Sequence, residues 1–307
     1  MKLQDIKNAF IQNQIEKSAY IDQMYNIHEV LFDYSEFIKN TDIQKIEISD
    51  NRVILTTRKD SIKLIAQYPD KRIIPIEILN FSYYEREALD FLKKVINPES
   101  VMFDIGGNVG WYTINLKKEK PGLIVYTFEP IPKTFTILKE NCLLNNISTE
   151  NLYNIGFSDE DKEVEFYFYP EGSGNSSMVN LTENPDVVVV KSLVQKIDTF
   201  IQKKNINVDF IKIDVEGAEL FVLKGGLETI RKDTPVIFTE MLRKWSLKFN
   251  YHPNEIIELL KIIGYKCFIL QNERLREFYL MDESTTDTNF IFLHVEKHKS
   301  IIKEWVL

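Results

Sequence analysis

The sequence predicts an α/β protein built on a mostly parallel β-sheet that helices cover on both faces. From about residue 101 onward, short apolar runs typical of buried strands alternate with segments of helical periodicity. A glycine-rich loop at 104–110, called the glycine loop below, follows the first apolar run, which is where open α/β sheets hold ligands. Hydrophobic residues make up 44% and charged residues 27% of the 307-residue chain, as in an ordinary folded globular protein.

Residues 1–80 are predicted to form an α+β extension that precedes the α/β domain of residues 81–307. Apolar residues recur at helical spacing through residues 1–40 and predict one or two amphipathic helices. Asp50 and Asn51 mark a hairpin turn. Around it, β-rich runs predict strands at 45–49, 52–57 and 61–66. We interpret this extension as a cap, a lid or an oligomer contact.

The remaining elements follow in order along residues 81–307. A first helix is predicted over 83–95. Strands are then predicted at 101–103, 124–128, 152–155, 210–213, 236–239, 265–270 and 289–295, and helices at 133–144, 218–232 and 254–263. Residues 162–193 interrupt the alternation, and we interpret them as a hairpin-like excursion with a polar tip near the active face.

The glycine loop indicates the kind of ligand. Gly106, Gly107 and Gly110 allow positive φ angles and close backbone approach. Their spacing does not match Gly-x-Gly-x-x-Gly, and a Gly-Lys-Ser/Thr phosphate loop is absent from the sequence, which disfavours an NAD-linked oxidoreductase. A mononucleoside-like ligand without phosphate is favoured. Glu129 lies 25 residues after Asp104, near the offset at which an acidic side chain reaches a ribose. Alone, Glu129 is more typical of a solvated strand end, but the glycine loop favours the ribose contact.

Five blocks in order resemble the FkbM family of S-adenosylmethionine-dependent O-methyltransferases. They are FDIGGNVG at 103–110, YTFEP at 126–130, NIGFSD at 154–159, IDVEGAEL at 213–220 with KGG at 224–226, and FTE at 238–240. The resemblance covers residues 80–295. It implies a Rossmann-like class I methyltransferase with a seven-stranded sheet in the order 3-2-1-4-5-7-6, whose last strand is antiparallel.

The resemblance also implies the cofactor and its contacts. Gly106, Asn108 and Gly110 would approach the methionine moiety of S-adenosylmethionine, Glu129 would hold the ribose, and residues 157–159 would flank the adenine. The implied cofactor-binding residues are Asp104, Gly106, Asn108, Gly110, Glu129, Pro130, Phe157, Ser158, Asp159 and Asp214.

Acidic residues crowd the ends of the fourth and fifth core strands. Asp214 and Glu240 are expected to face one crevice, where they would bind Mg²⁺ or Mn²⁺ or supply a general base. Glu219 begins a helix and is expected to be solvated. His252 lies in a loop and is a candidate base, metal ligand or sugar contact, against the alternative of an ordinary loop histidine.

The predicted reaction is O-methylation of a sugar hydroxyl, on a nucleotide-linked sugar or glycan used in capsule or other cell-surface polysaccharide synthesis. The alternatives are methylation of a polyketide, lipid or other small-metabolite hydroxyl, and a catalytically silent binding or assembly protein. Candidate substrate contacts are Asn175, Ser176, Ser177, Glu216, Glu240 and His252. Residues 175–177 are equally compatible with a flexible surface loop.

Composition limits the partners. A net charge of −8 disfavours nucleic acid. Cys142 and Cys267 lie in apolar runs and are predicted to be buried thiols. The N-terminus does not read as a secretory signal, and apolar runs long enough to span a membrane are absent, so the cytoplasm is the expected location.

Overall fold

The computed structural model describes residues 2–181 and 183–306. Met1, Thr182 and Leu307, which belong to the predicted segments 1–80, 162–193 and 81–307, lie outside the described residues. The strands are β1 (Ile43–Ser49), β2 (Arg52–Thr57), β3 (Lys63–Ala66), β4 (Val101–Ile105), β5 (Ile124–Phe128), β6 (Leu152–Tyr153), β7 (Gly156–Phe157), β8 (Lys162–Phe168), β9 (Val188–Gln195), β10 (Phe210–Ile213), β11 (Val236–Glu240), β12 (Tyr265–Gln271), β13 (Arg274–Phe278) and β14 (Asn289–His294). The helices are α1 (Lys2–Ile11), α2 (Lys17–His28), α3 (Val30–Phe37), α4 (Ile74–Phe81), α5 (Arg86–Val95), α6 (Trp111–Glu119), α7 (Pro132–Leu144), α8 (Ile197–Lys204), α9 (Glu219–Lys224), α10 (Leu227–Asp233), α11 (Arg243–Ser246), α12 (Asn254–Ile262) and α13 (Lys299–Trp305).

The central sheet has eight strands in the order β13-β12-β14-β11-β10-β4-β5-β6. The strands from β11 to β6 are parallel, whereas β14 is antiparallel to both β11 and β12. Numbered along the chain, the seven predicted strands lie in the order 3-2-1-4-5-7-6, with β13 added beyond the sixth. The α/β class with a mostly parallel sheet is confirmed, and the predicted count of seven strands is wrong by one.

The additional strand β13 lies between the two strands predicted at 265–270 and 289–295. β12 and β13 form a hairpin in which Leu270 pairs with Leu275 and Gln271 with Arg274. Asn272 and Glu273 form its two-residue turn, with φ angles of 52° and 59°. A two-residue turn with positive φ angles usually has glycine at its second position, which makes it recognisable in a sequence. Glu273 takes that position here, so the sequence did not reveal the turn.

Two hydrophobic clusters cover the two faces of the sheet. Neighbouring strand residues point to opposite faces, so Met102 of β4 belongs to one cluster and Phe103 to the other. The first cluster takes in α5, α6 and α7, and the second takes in α8, α9, α10 and α12. Cys142 is buried in the first and Cys267 in the second, as predicted.

The predicted strands of the extension form the antiparallel sheet β1-β2-β3, which confirms the hairpin prediction. This sheet shares the first hydrophobic cluster with the central sheet. The side chains of α7 also close the edge of β3. Asn141 Oδ1 accepts a hydrogen bond from the Ile65 amide at 2.9 Å, and Asn145 Oδ1 accepts one from Lys63 at 3.0 Å. Residues 43–80 are therefore built onto the face that carries α7.

The N-terminal arm, α1 to α3, contains three helices where one or two were predicted. Neither α2 nor α3 has a buried residue. Large apolar side chains on the arm are exposed instead, namely Leu3, Ile11, Ile21, Tyr25, Val30, Leu31, Phe32, Tyr34 and Phe37. Within residues 2–181 and 183–306, none of the helices has the length and apolarity that crossing a bilayer requires.

The excursion between β6 and β10 forms a third sheet in the order β7-β9-β8, with β8 and β9 antiparallel. The hairpin prediction is confirmed. The helix predicted over 218–232 is wrong, since it divides into α9 and α10 at Gly225 and Gly226. The reason is a close backbone contact: a Cβ on Gly225 would overlap the carbonyl oxygen of Ser158.

Candidate active site

The carboxyl ends of β4, β5 and β10 meet at one edge of the sheet and form a cleft. This is the switch point of the strand order, where open α/β sheets bind ligands. The cleft holds about 640 Å³ of empty space, the open solvent at its mouth included. The predicted site residues that line it are Gly106, Asn108, Glu129, Pro130, Phe157, Ser176, Asp214 and Glu216.

The glycine loop lies close to β10 because its glycines leave room. Gly106 has a φ of 73°, and a Cβ there would overlap the backbone carbonyl of Asp214. A Cβ on Gly107 would overlap the methyl group of Thr127. Both glycine amides donate hydrogen bonds to the Phe128 carbonyl at 2.9 Å. The loop is therefore fixed between β5 and β10, and its backbone forms part of the cleft wall.

Glu129 is fixed at the cleft wall by two backbone amides. Its Oε2 accepts a hydrogen bond from Asn108 N at 3.0 Å, and its Oε1 accepts one from Ile131 N at 2.9 Å. Burial raises the pKa of Glu129 to about 7. The side-chain Oδ1 of Asn108 is buried and has no hydrogen-bond partner. The cleft therefore offers oriented acceptor atoms to a ligand that carries hydroxyl and amino groups.

Asp104 and Gly110, the two ends of the glycine loop, lie outside the cleft lining. Asp104 is fully buried, and its Oδ2 accepts a hydrogen bond from Thr113 Oγ1 at 2.6 Å. Gly110 caps α6 with a φ of 93°, and a Cβ there would lie 2.7 Å from Leu138. Both residues shape the loop, so the structure gives them an indirect place in the predicted cofactor site.

Phe157 forms part of an apolar wall of the cleft with Pro130, Ile131, Phe166 and Met178. Such a wall suits a flat aromatic ligand group. Ser158 and Asp159, also predicted beside the adenine, are not part of the lining. Ser158 is buried, and its Oγ donates to Asp159 Oδ1 at 3.2 Å. Their adenine contact stays a prediction.

Three carboxylates converge next to the cleft. Asp214, Glu216 and Glu240 each offer one oxygen atom, and these atoms lie within 4.8 Å of one another. Burial, and then the charge of Asp214, raise the pKa of Glu216 and of Glu240 well above their usual range. Glu216 Oε2 is buried without a hydrogen-bond partner. The predicted convergence of Asp214 and Glu240 is present, and Glu216 joins them.

Lys212 is a buried cation that sequence reasoning did not single out. Its Nζ lies 3.4 Å from Asp214 Oδ2 and 3.5 Å from Asp104 Oδ1. Burial alone would lower its pKa, but the charges of Asp214 and Asp104 outweigh burial and raise it. The sequence feature that could have identified Lys212 is that it is a single lysine within the otherwise apolar run of β10.

Glu85, which the sequence did not predict as a site residue, faces the carboxylates from the segment before α5. Glu85 adopts a left-handed conformation with a φ of 42°. It accepts hydrogen bonds from Tyr112 Oη at 2.7 Å and from Asn289 Nδ2 at 3.3 Å. Burial raises the pKa of Glu85, and the charge of Asp214 adds to the shift. Nothing in the local sequence signals this position, because only the fold brings Glu85 to the site.

His252 is not part of the cleft lining. It stands before α12, where its Nδ1 accepts a hydrogen bond from the Asn254 amide at 3.3 Å, and its own amide donates to Glu255 Oε1 at 3.1 Å. These contacts belong to the start of a helix. They fit the ordinary loop histidine that was the alternative prediction.

The polar tip of the excursion reaches the cleft in part. Ser176 lines the cleft, and its Oγ donates to the Ser173 carbonyl at 2.8 Å. Ser177 is buried, and its Oγ donates to the carbonyl of Glu216 at 2.8 Å. Asn175 lies outside the lining. The tip therefore contacts the acidic loop after β10, as expected for an excursion near the active face.

The expectation that Glu219 is solvated is wrong. Glu219 is 1% exposed, and its Oε1 accepts a hydrogen bond from Gly217 N at 2.9 Å. Its Oε2 accepts a hydrogen bond from Tyr251 Oη at 3.0 Å. Burial raises the pKa of Glu219 to about 7. The side chain of Glu219 turns inward, where its hydrogen bonds hold the loop after β10, instead of pointing into solvent at the helix end.

Three of the curated proteins that are similar to this chain are methyltransferases by name. "Methyltransferase 1" of Beauveria bassiana is 29% identical over 145 residues, which are 41% of this chain and 58% of that protein. "31-O-demethyl-FK506 methyltransferase FkbM" of Streptomyces tacrolimicus is 25% identical over 158 residues, 42% of this chain and 60% of that protein. "2-O-methyltransferase NoeI" of Sinorhizobium fredii is 26% identical, covering 50% of this chain and 67% of that protein. The chain spans less than two thirds of the length of the first two.

A crystal structure of methyltransferase FkbM from Methylobacillus flagellatus KT is 18% identical, with a TM-score of 0.43, and covers 71% of this chain and 53% of that one. The model of the family described as "Methyltransferase FkbM domain" matches residues 104–267, more than half of this chain. The matched residues run from the glycine loop through Glu129 and the acidic loop after β10 to β12. The chain therefore belongs to the FkbM methyltransferase domain family.

Proposed function

We propose that the protein is an S-adenosylmethionine-dependent O-methyltransferase that acts on a sugar hydroxyl. The observation that carries the cofactor part is Glu129, a carboxylate fixed by two backbone amides in the wall of the cleft. A carboxylate so fixed retains lone pairs for the two hydroxyls of a ribose. Membership of a methyltransferase family supplies the reaction class.

The residues present fit S-adenosylmethionine. The unpartnered Asn108 Oδ1 and the backbone of the glycine loop at Gly106, which both lie at the cleft, suit the methionine moiety. Glu129 would hold the ribose, and the apolar wall with Phe157 would hold the adenine. When bound, the cofactor supplies a methyl group on a sulfonium, which transfers to a nucleophilic oxygen.

The chain must orient the acceptor hydroxyl and take its proton. Glu240 is the proton acceptor in this proposal, because it converges with Asp214 beside the cleft and its raised pKa makes it a stronger base than an ordinary carboxylate. Asp214 lines the cofactor cleft and stands beside Glu240, so it would orient the hydroxyl. His252 has no part in this step.

A sugar acceptor suits a site rich in hydrogen-bonding oxygens. Carboxylates of Asp214 and Glu216 and the hydroxyl of Ser176 can share the several hydroxyls of a polyol. The sugar is proposed to be nucleotide-linked or part of a glycan for capsule or other cell-surface polysaccharide. Methylation of a polyketide or lipid hydroxyl is the competing proposal, since one relative is named for the methylation of demethyl-FK506.

A divalent-cation site is the second candidate role for the same carboxylates. Asp214, Glu216 and Glu240 offer three oxygens within 4.8 Å, the hard ligands that Mg²⁺ and Mn²⁺ prefer. Transfer that stops in EDTA and returns with Mg²⁺ or Mn²⁺ would favour this role over a direct carboxylate base. Transfer unchanged in EDTA would remove it.

We also propose that the protein forms a homo-oligomer through its N-terminal arm. Nine large apolar side chains of the described part of α1 to α3 are exposed, and exposed apolar surface is typical of sites that contact another protein.

The function is tested by incubating the purified protein with methyl-labelled S-adenosylmethionine and a panel of sugars, sugar nucleotides and glycans. Label should enter a sugar acceptor, and Glu240→Gln should slow transfer by about 10²- to 10⁴-fold, the usual share of a general base. The affinity of that variant for S-adenosylhomocysteine should stay unchanged. Label that enters only polyketide or lipid hydroxyls would overturn the sugar. Cofactor binding without any transfer would favour a catalytically silent protein.

A further inference from the structure

Lys212 occupies the point where the glycine loop and the acidic loop after β10 meet. It is the charged residue of the buried strand Phe210–Ile213, with a side chain 4% exposed. Its Nζ donates a hydrogen bond to the carbonyl oxygen of Gly106 at 2.8 Å. The same nitrogen lies within 3.5 Å of carboxylate oxygens of Asp104 and Asp214. One ammonium therefore contacts the loop after β4 and the loop after β10.

The partners of Lys212 differ in what they do. Asp104, the first residue of the glycine loop, is fully buried and outside the cleft lining, whereas Gly106 and Asp214 line the cleft itself. The ammonium also lies 5.5 Å from the ring centroid of Tyr112, whose hydroxyl holds Glu85. Packing alone does not need a lysine here, since a methionine of similar length would fill the same space. The charge of Lys212 therefore acts on its polar partners, which include the cleft-lining Gly106 and Asp214.

Charge-assisted hydrogen bonds fix geometry more strongly than neutral ones. The hydrogen bond to the Gly106 carbonyl sets the orientation of the peptide that joins Gly106 to Gly107. The amide of the same peptide, Gly107 N, donates to the Phe128 carbonyl, so this peptide is held from both sides. The contact with Asp214 sets the position of that carboxylate at the cleft. Without the ammonium, the Gly106 carbonyl and two carboxylates would face one another unneutralised.

We propose that Lys212 is a positioning residue that locks the glycine loop to Asp214 and so shapes the cofactor cleft. This inference rests on the proposed function, because the cleft is taken as the site of S-adenosylmethionine. The competing explanation is purely structural: Lys212 neutralises buried Asp104 and does nothing for the cleft. The two explanations differ in what happens when Asp104 no longer carries a charge.

The test compares wild type, Asp104→Asn, Lys212→Met and the double variant, by thermal unfolding and by calorimetric titration with S-adenosylhomocysteine. Lys212→Met should lower the Tm, since it leaves Asp104 as a buried unpaired charge. The double variant removes both charges and should recover the Tm of Asp104→Asn. Its affinity should nevertheless remain at least about tenfold below that of Asp104→Asn, in line with the loss of a charge-assisted hydrogen bond.

A double variant that binds S-adenosylhomocysteine as tightly as Asp104→Asn would overturn the proposal and leave Lys212 a structural counter-ion. A double variant that does not fold would also overturn it, because Lys212 would then be a requirement of the fold. Absence of binding by wild type would refute the cofactor assignment instead, so the two failures are distinguishable.

Discussion

At the residue scale, the proposed ribose contact of Glu129 ties cofactor binding to pH. Burial raises the pKa of Glu129 to about 7, and ribose hydroxyls would donate to the ionised form. Affinity should therefore be full above pH 7 and fall as pH drops below it, by roughly tenfold between pH 8 and pH 6. Calorimetric titration with S-adenosylhomocysteine across this range measures the effect.

The matched pair for this prediction is Glu129→Gln and Glu258→Gln, the second an exposed glutamate on α12 paired with Lys261. Glu258→Gln should keep the wild-type pH profile. Glu129→Gln should bind weakly at every pH with a flat profile. A slope retained in Glu129→Gln would assign the titration to the carboxylates around Asp214.

At the element scale, the fold leaves large apolar side chains of the N-terminal arm uncovered. Leu31 and Phe32 on α3 are 51% and 65% exposed. Charges placed there, as Leu31→Glu with Phe32→Glu, should convert an oligomer into a monomer, because contact between copies would bury the charges. Light scattering coupled to size-exclusion chromatography gives the mass.

Ile262→Glu is the control for the arm, since Ile262 on α12 is 78% exposed and lies outside it. The mass of this variant should match wild type. A monomeric wild type, or a double variant that keeps the wild-type mass, would contradict oligomerisation through the arm.

At the scale of the whole molecule, buried acids make the stability of the unliganded protein depend on pH. Burial raises the pKa of Glu129 and of Glu219 to about 7, above their unfolded values, so the folded state holds more protons near neutral pH. The stabilisation they give is full at low pH and is lost as pH rises through 7. Lowering pH from 8 to 6.5 should stabilise the fold by roughly 1 kcal/mol per group.

This stability prediction is measured as a Tm a few degrees higher at pH 6.5 than at pH 8. Burial lowers the pKa of His298 to about 4, which favours the folded state at higher pH and opposes the trend below pH 6.5. Glu219→Gln should reduce the rise, since it removes one titrating group. A Tm that falls between pH 8 and 6.5 would refute the linkage.

The sequence patterns predict the fold of the molecule better than they predict the residues of its site. Buried parallel strands such as β4 and β10 are apolar throughout, and Glu129 stands at a fixed offset from the glycine loop, so both could be predicted. Glu85 could not, because it reaches the carboxylates only through the packing of α5 against the sheet. His252 is a candidate by residue type alone, and the hydrogen bonds that the structure gives it are those of the start of α12.

The central claim is that the cleft beside Glu129 binds S-adenosylmethionine. Titration of the purified protein with S-adenosylhomocysteine at pH 8 tests it most directly, with Glu129→Ala and the surface control Glu258→Ala alongside. One saturable site in wild type and in Glu258→Ala, weakened at least about tenfold in Glu129→Ala, is the expected result. No binding by wild type, or equal affinity in Glu129→Ala, would contradict the claim.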